Sequence, residues 1–218
     1  MIKIKKLSSL LFLTTFLVAT ETSAQSKKFD GFSVAVGAST VGTRNGLSVT
    51  DTSANVNASL DLGKTDATFT GEVGYTWPLQ NSFAFELGLN ADQNNSINAG
   101  RFAEGGVSVN FTAGSHYSIY IKPMYKINDS SSLFFKLGSH SVKGKTTIKE
   151  GTANASAEGT YTGTGYGAGI KSYLNNNIFI QAELTITDYN KKTFVSGDTT
   201  ATYQPNSSAG TILIGYQF

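Results

Sequence analysis

The stretch YSIYIKPMYKINDSSSLFFKLG at residues 117–138 decides the fold. Large apolar residues occupy alternate positions, such as Ile119 and Ile121 before the polar segment 128–132 and Leu133 and Leu137 after it. Alternation is typical of β-strands with one apolar face, and a short polar segment between two of them is typical of a turn. The stretch therefore predicts an antiparallel hairpin.

Alternation of this kind recurs from Phe29 to the C-terminus and predicts eight strands and no helix. The connections alternate between short turns and long segments rich in Ser, Thr, Asn, Asp and Gly. The turns are 78–82, 128–132 and 175–177, and the long segments are about 43–67, 91–115, 143–163 and 190–207. Tilted strands of about ten residues can cross a membrane, and this loop pattern is typical of transmembrane barrels. We therefore predict an all-β, up-and-down antiparallel transmembrane β-barrel with short periplasmic turns and long extracellular loops.

The first long segment leaves two alternatives open. Because Val56, Ala58, Leu60 and Leu62 alternate within 43–67, this segment is either a hairpin projecting beyond the membrane or two further strands, which would make ten. A projecting sheet edge can accept a strand from another molecule. Contact with an extracellular partner is therefore a separate hypothesis, set against a solvated loop.

The first 24 residues resemble an export signal rather than part of the barrel. Lys3, Lys5 and Lys6 precede an apolar run at 7–19, and the small residues Thr22 and Ala24 follow it. The run is too short for a membrane-spanning helix, which needs about 20 apolar residues. We predict a cleaved signal peptide at 1–24 and an exported barrel domain at 25–218.

Charge and composition exclude several classes of function. The net charge is +2, and the predicted signal peptide accounts for it, so the remainder carries equal numbers of basic and acidic residues. A neutral domain lacks the basic surface that nucleic acids require. The absence of Cys excludes disulfides and cysteine-based zinc sites. With only two His, we expect no metal and no cofactor.

The two faces of the strands predict which side meets lipid. The alternative to a membrane barrel is a soluble barrel or sandwich with the apolar face inside. The apolar face is, however, larger than a small lumen can hold, and bulky aromatic residues gather beside the short turns, as in the girdle at a membrane boundary. These girdle candidates are Trp77, Phe83, Tyr125 and Phe135. The other face combines Gly, Ser and Thr with charged residues and suits a polar lumen.

The last strand carries a family signal. Ile212, Ile214, Tyr216 and Phe218 alternate up to the C-terminus, and a glycine-rich run occupies 165–170. In these features the chain resembles the small eight-stranded outer-membrane barrels of Gram-negative bacteria, porin-family barrels that include the transmembrane domain of outer-membrane protein A. The resemblance implies that the barrel-assembly machinery reads the last strand, with Ile214, Tyr216 and Phe218 as the signal.

Six charged residues lie on the predicted lumen face at similar distances from the short turns. They are Glu72, Glu86, Lys122, Lys136, Lys171 and Glu183. The interior of an eight-stranded barrel is just wide enough for side chains, and an unpaired buried charge costs several kcal/mol, so we expect these charges to pair. Pairing Trp77 with Phe83 and Ile127 with Leu133 would place a glycine opposite Glu72, Glu86 and Lys122. We interpret the network as interior stabilisation, with a gated narrow ion path as the functional alternative.

A catalytic interpretation has less support from the sequence than a structural one. His116 and Ser118 lie two positions apart on one strand face, which suggests a comparison with barrels that hydrolyse or transfer acyl chains of lipid A. That chemistry needs a Ser nucleophile, a His base and an acid where the acyl chain lies, outside the barrel. The predicted register turns both residues, and His140, toward the lumen. We therefore expect no enzyme.

Together these patterns predict a protein of the outer membrane with a structural or surface-interaction role and a lumen largely closed by paired charges. The alternative is a narrow channel or transporter for ions or small apolar molecules. The expected partners are outer-membrane lipid and lipopolysaccharide, the assembly machinery, and an extracellular molecule at the loops. The expected state is a monomer.

Overall fold

The computed structural model describes residues 28–53, 55–79, 82–93, 97–104, 107–150, 153–196 and 198–218. The predicted signal peptide and its cleavage site lie outside the described residues. Within the described part, no helix has the length and apolar character needed to cross a membrane.

The described residues form ten β-strands and one closed sheet. The strands are β1 (Gly31–Asp51), β2 (Val56–Pro78), β3 (Phe83–Asp92), β4 (Ile97–Glu104), β5 (Val107–Lys126), β6 (Ser131–Glu150), β7 (Ala153–Tyr173), β8 (Ile178–Tyr189), β9 (Lys192–Ser196) and β10 (Thr199–Gln217). All described pairs are antiparallel, and β1 closes the sheet by pairing with β10.

Eight of these strands make the barrel, as predicted. β4 continues β3, because both pair in succession with β5. In the same way β9 continues β8 along β10. The all-β, closed, up-and-down barrel of eight strands is therefore confirmed, and β4 and β9 are the outer parts of two interrupted strands.

The two faces of the sheet follow the period-two pattern. Leu184 is 72% exposed on the outer face, and Ile121 also points outward. Glu86 and Lys122, one position from outward residues, are 1% and 0% exposed in the lumen. Apolar side chains therefore cover the outside of the cylinder, where lipid would contact them, and the charged side chains lie inside.

The predicted hairpin register is wrong by two residues. Trp77 lies opposite Phe85 rather than Phe83, and Gly138 lies opposite Tyr120 rather than Lys122. The turns are tighter than predicted, because the Leu79 amide donates to the Phe83 carbonyl at 3.0 Å and an equivalent bond closes the β5–β6 turn. A slip of two residues leaves every side chain on its predicted face.

Toward the ends with the long connections, the strands separate into two groups. In one group β2, β1, β10 and β9 pair side by side, and in the other β4, β5, β6 and β7 do. The described β2–β3 pairs stop at Thr70 with Asp92, and the β7–β8 pairs stop at Gly163 with Tyr189. We call these groups the first and second extracellular sheets.

The segment 43–67 is a projecting hairpin rather than two further barrel strands. Its backbone continues β1 and β2, which pair out to Asp51 and Val56. The side chains of Val56, Ala58, Leu60 and Leu62 lie outside the described residues, and the predicted alternation of these four lies there with them.

Candidate functional site in the barrel lumen

The structure brings all six charged lumen candidates together. They extend inward from six different barrel strands, and each is at most 8% exposed. They are Glu72 on β2, Glu86 on β3, Lys122 on β5, Lys136 on β6, Lys171 on β7 and Glu183 on β8. We call this group the charge network.

Lys122 lies at the centre of the charge network. Its Nζ donates to Glu72 Oε1 at 2.6 Å and to Glu86 Oε1 at 2.8 Å. The amide oxygen of Gln181 accepts a third bond from it at 3.2 Å. All three ammonium donors therefore have partners, which is what a fully buried cation requires.

The other two lysines extend the network across the lumen. Lys136 Nζ lies 2.9 Å from Glu72 Oε2 and 2.8 Å from Glu183 Oε1. Lys171 Nζ lies 3.2 Å from Glu86 Oε2. Three acids thus alternate with three bases in one connected, neutral chain. Removing a single member would leave the buried network with an unbalanced charge.

Neutral side chains that the sequence analysis did not single out complete the network. The hydroxyls of Tyr120 and Thr76 donate to the two oxygens of Glu86, each at 3.0 Å. The Gln181 amide donates to Glu72 and Glu183. Strand parity could have found Tyr120 and Gln181, because each lies two positions from a charged lumen residue.

A glycine makes room for the largest of these side chains. A Cβ at Gly88 would overlap the Tyr120 ring and the Val73 carbonyl. The Tyr120 ring can therefore lie across the lumen, with the Nζ atoms of Lys122 and Lys136 at 4.7 and 4.3 Å from its centroid. These are cation–π distances.

An apolar layer closes the periplasmic side of the charge network, and none of its residues was among the site residues predicted from the sequence. Phe29, which precedes β1, is 2% exposed, and its ring meets the edge of Tyr173 at 4.8 Å. The Tyr173 hydroxyl accepts a bond from the Phe29 amide and donates to Gln217. The other buried apolar members are Ala35, Ala84, Met124, Phe134, Phe179 and Leu213. This layer could have been predicted from aromatic residues, such as Phe134, that occupy positions on the predicted polar face of the strands.

A chamber lies on the extracellular side of the charge network. Its cavity volume is about 100 Å³, and it is partly open to solvent. Asp92 Oδ2 lies 2.6 Å from His116 Nδ1, and His116 Nε2 lies 2.9 Å from His140 Nδ1. Both histidines therefore face the lumen, as their strand parity predicts, within one hydrogen-bonded chain.

An aromatic cluster borders the outer end of the chamber and joins the two extracellular sheets. Phe111 on β5 stacks on Tyr203 on β10, with ring centroids 5.3 Å apart, and Tyr161 on β7 packs edge-on against Tyr203. The Tyr203 hydroxyl donates to Asn45 Oδ1 at 2.6 Å, and the Asn45 amide donates to the Ala99 carbonyl. Burial raises the pKa of Tyr203 and of Tyr161, so both hydroxyls remain neutral donors.

The girdle candidates all lie on the outer face beside the short turns. Trp77, Phe83, Tyr125 and Phe135 are exposed there, and the Phe83 and Tyr125 rings contact each other at 5.3 Å. Their position suits the membrane boundary, although the boundary role itself stays a prediction.

The candidate assembly signal is on the same outer face. Ile214 and Tyr216 are exposed, and the Tyr216 and Phe218 rings lie 4.9 Å apart. The Phe218 amide donates to the Phe32 carbonyl at 2.8 Å, so the last residue is held against β1 at the barrel seam.

Comparison with known proteins identifies the architecture. The family model described as outer membrane protein beta-barrel domain matches residues 9–218. The outer membrane protein OprG of Pseudomonas aeruginosa is 15% identical, with a TM-score of 0.57 over 90% of this chain and 99% of that one. The outer membrane protease OmpT of Escherichia coli is 9% identical, with a TM-score of 0.53 over 91% and 99%. At these identities the structures share the fold alone. No curated protein matches this chain in sequence.

Proposed function

Because this chain belongs to the outer membrane protein beta-barrel domain family, we propose that it is a structural and surface-interaction protein of the outer membrane whose lumen is closed to passage. Membership of the family implies the outer-membrane location.

The charge network is the observation that carries this proposal. The interior of an eight-stranded barrel is about as wide as the side chains that fill it. Here three lysines and three glutamates from six of the eight barrel strands are joined across the lumen. A passing ion would have to displace Lys122 from two carboxylates at 2.6 and 2.8 Å. The apolar layer around Phe29 adds a second barrier on the periplasmic side.

Single-channel recording in a planar bilayer tests the closed lumen. We expect no sustained conductance from the unaltered protein. The charge-balanced variant Lys122→Ala/Glu72→Ala, combined with Phe29→Ala, removes side chains from both barriers and should conduct. Lys145→Ala/Glu158→Ala removes an exposed ion pair outside the lumen and is the matched control. A steady conductance in the unaltered protein that these lumen variants change would favour the narrow channel instead.

The surface role is supported by the projecting part of β2. Among the described residues, β2 pairs only with β1 over 56–68. β4 lies beside the inner part of this segment without pairing with it, so the edge that is open for a strand from another molecule lies toward the tip of the hairpin. In contrast, the carbonyl of Ala99 on β4 accepts side-chain bonds from Thr43 and Asn45. On β7, the carbonyl of Thr160 accepts a bond from Lys192. The open edge of β2 is therefore the contact site we favour for an extracellular partner.

We also propose the remaining associations of the protein. Lys143 and Lys145 are exposed on the outer face of β6 beyond its apolar part, where anionic groups of lipopolysaccharide can approach them. The exposed last strand is available to the assembly machinery through Ile214, Tyr216 and Phe218. The protein would act as a monomer and without catalysis. Release of fatty acid from lipid A by the purified protein would contradict the last point.

A further inference from the structure

The chamber between the charge network and the aromatic cluster has the features of a small-molecule site that the proposed function does not use. Its cavity volume of about 100 Å³ is below the about 300–1000 Å³ of pockets for drug-sized ligands, so the chamber suits only a small ligand. Such sites combine a largely apolar wall with a few converging polar groups. Both features are found among the residues that line this chamber.

The polar groups lie on the wall formed by β3, β5 and β6. Ser118 lies directly opposite His140 across the β5–β6 pair, and both line the chamber. Ser118 is 3% exposed, and its hydroxyl has no hydrogen-bond partner among the described residues. A buried hydroxyl without a partner costs free energy, and a ligand in the chamber could supply the missing bond.

The hydrogen-bonded chain through His116 determines whether His140 Nε2 donates or accepts a hydrogen bond. The partner would be the same ligand group that bonds to Ser118. When the Asp92 carboxylate accepts from His116 and His116 is neutral, His116 Nε2 accepts from His140 Nδ1, and Nε2 of His140 is an acceptor. When His116 is charged, the second bond reverses, and Nε2 of His140 can be a donor. Together with the Ser118 hydroxyl, this arrangement suits a group that both donates and accepts.

The apolar part of the chamber lies toward its outer end. The side chains that provide it are Val41, Ala99, Ala113, Val142, Tyr161 and Tyr203. The lining charges are already paired, because Asp92 contacts His116, and Lys136 contacts Glu183. An anion or a cation would therefore find no unpaired counter-charge among the described lining residues.

We propose that the chamber binds a neutral small molecule with an apolar body and a hydroxyl group, and that the hydroxyl contacts Ser118 and His140. The hydroxyl satisfies the Ser118 oxygen and the end of the histidine chain. The body packs against the apolar wall below the aromatic cluster. This site goes beyond the proposed surface role and does not depend on whether the open edge of β2 binds a partner.

Fluorine NMR titrations of the full chain in lipid nanodiscs test the proposal, with empty nanodiscs as the blank. The probes are 4-fluorophenol, fluorobenzene, 4-fluorobenzoate and a fluorinated methyl glucoside. We expect saturable binding of 4-fluorophenol and at least fivefold weaker binding of the other three. Ser118→Ala should weaken 4-fluorophenol binding about fivefold, as the loss of one hydrogen bond does, and leave fluorobenzene unchanged.

Two further variants make the result specific. Ser139→Ala changes the same residue type on the outer face of β6 and should bind like the unaltered protein. Val142→Trp fills the chamber and should abolish binding, and heat-modifiable gel mobility shows whether each variant is folded. The proposal fails if Ser118→Ala has no effect or if fluorobenzene or the glucoside binds as well as 4-fluorophenol. It also fails if folded Val142→Trp retains binding.

Discussion

Lys122 is the residue on which the closed lumen depends most. Its ammonium joins Glu72 to Glu86, so Lys122→Met would leave three buried carboxylates sharing the two remaining lysines. Breaking a buried ion pair from one side costs about 3–5 kcal/mol. We expect the free energy of unfolding, measured by urea titration in lipid vesicles, to fall by about that amount.

The double variant Lys122→Met/Glu86→Gln separates lost charge balance from lost packing. It removes one charge of each sign, so the unfolding free energy should recover part of the loss. Lys145→Met breaks an exposed ion pair with Glu158 instead and should change the free energy by less than about 1 kcal/mol. If Lys122→Met were no worse than Lys145→Met, the charge network would not be an integral part of the fold.

The element that closes the periplasmic mouth is the short segment before β1. Phe29 inserts its ring against Tyr173, while Lys28 Nζ donates to Ser130 on the rim at 2.8 Å. Because burying a Phe contributes several kcal/mol, Phe29→Ala should lower the free energy of unfolding by about 3 kcal/mol. The charge network remains in place, so this variant alone should stay non-conducting in a planar bilayer.

Phe69→Ala is the matched control for this segment. Phe69 is exposed on the outer face, so its truncation leaves the lumen intact and should cost less than Phe29→Ala. Sustained conductance of Phe29→Ala on its own would show that the apolar layer, not the charge network, closes the barrel.

The strands and their register show how much of this structure could be predicted from the sequence. The period of two assigns Glu86 and Lys122 to the lumen whatever the register, so the grouping of the charges could be predicted. The partners could not, because turn geometry sets the register, and a slip of two residues exchanges Gly74 for Thr76 opposite Glu86. The chamber and the aromatic cluster depend on contacts between distant strands, such as Phe111 with Tyr203, that no local pattern encodes.

At the scale of the whole molecule, the barrel and the two extracellular sheets are separable. The barrel encloses the charge network, whereas the outer part of β2 pairs only with β1 among the described residues. Lys64 and Asp66 discourage non-specific pairing along the inner part of this edge. A partner strand would therefore bind at the tip without disturbing the lumen.

Replacing residues 45–62 by Asn-Gly should remove the open edge and keep the barrel. Arg44 and Gly63 already lie opposite each other and can flank a two-residue turn. A dye-labelled peptide copying residues 44–51 carries the strand that β2 already accepts on its other side, so we expect it to bind the full chain in nanodiscs. Binding, measured by fluorescence anisotropy, should disappear in the shortened variant, while heat-modifiable gel mobility persists. The same peptide with Pro at the position of Leu47 cannot pair as a strand and should not bind. Equal binding of both peptides, or undiminished binding to the folded shortened variant, would contradict recognition through the edge of β2.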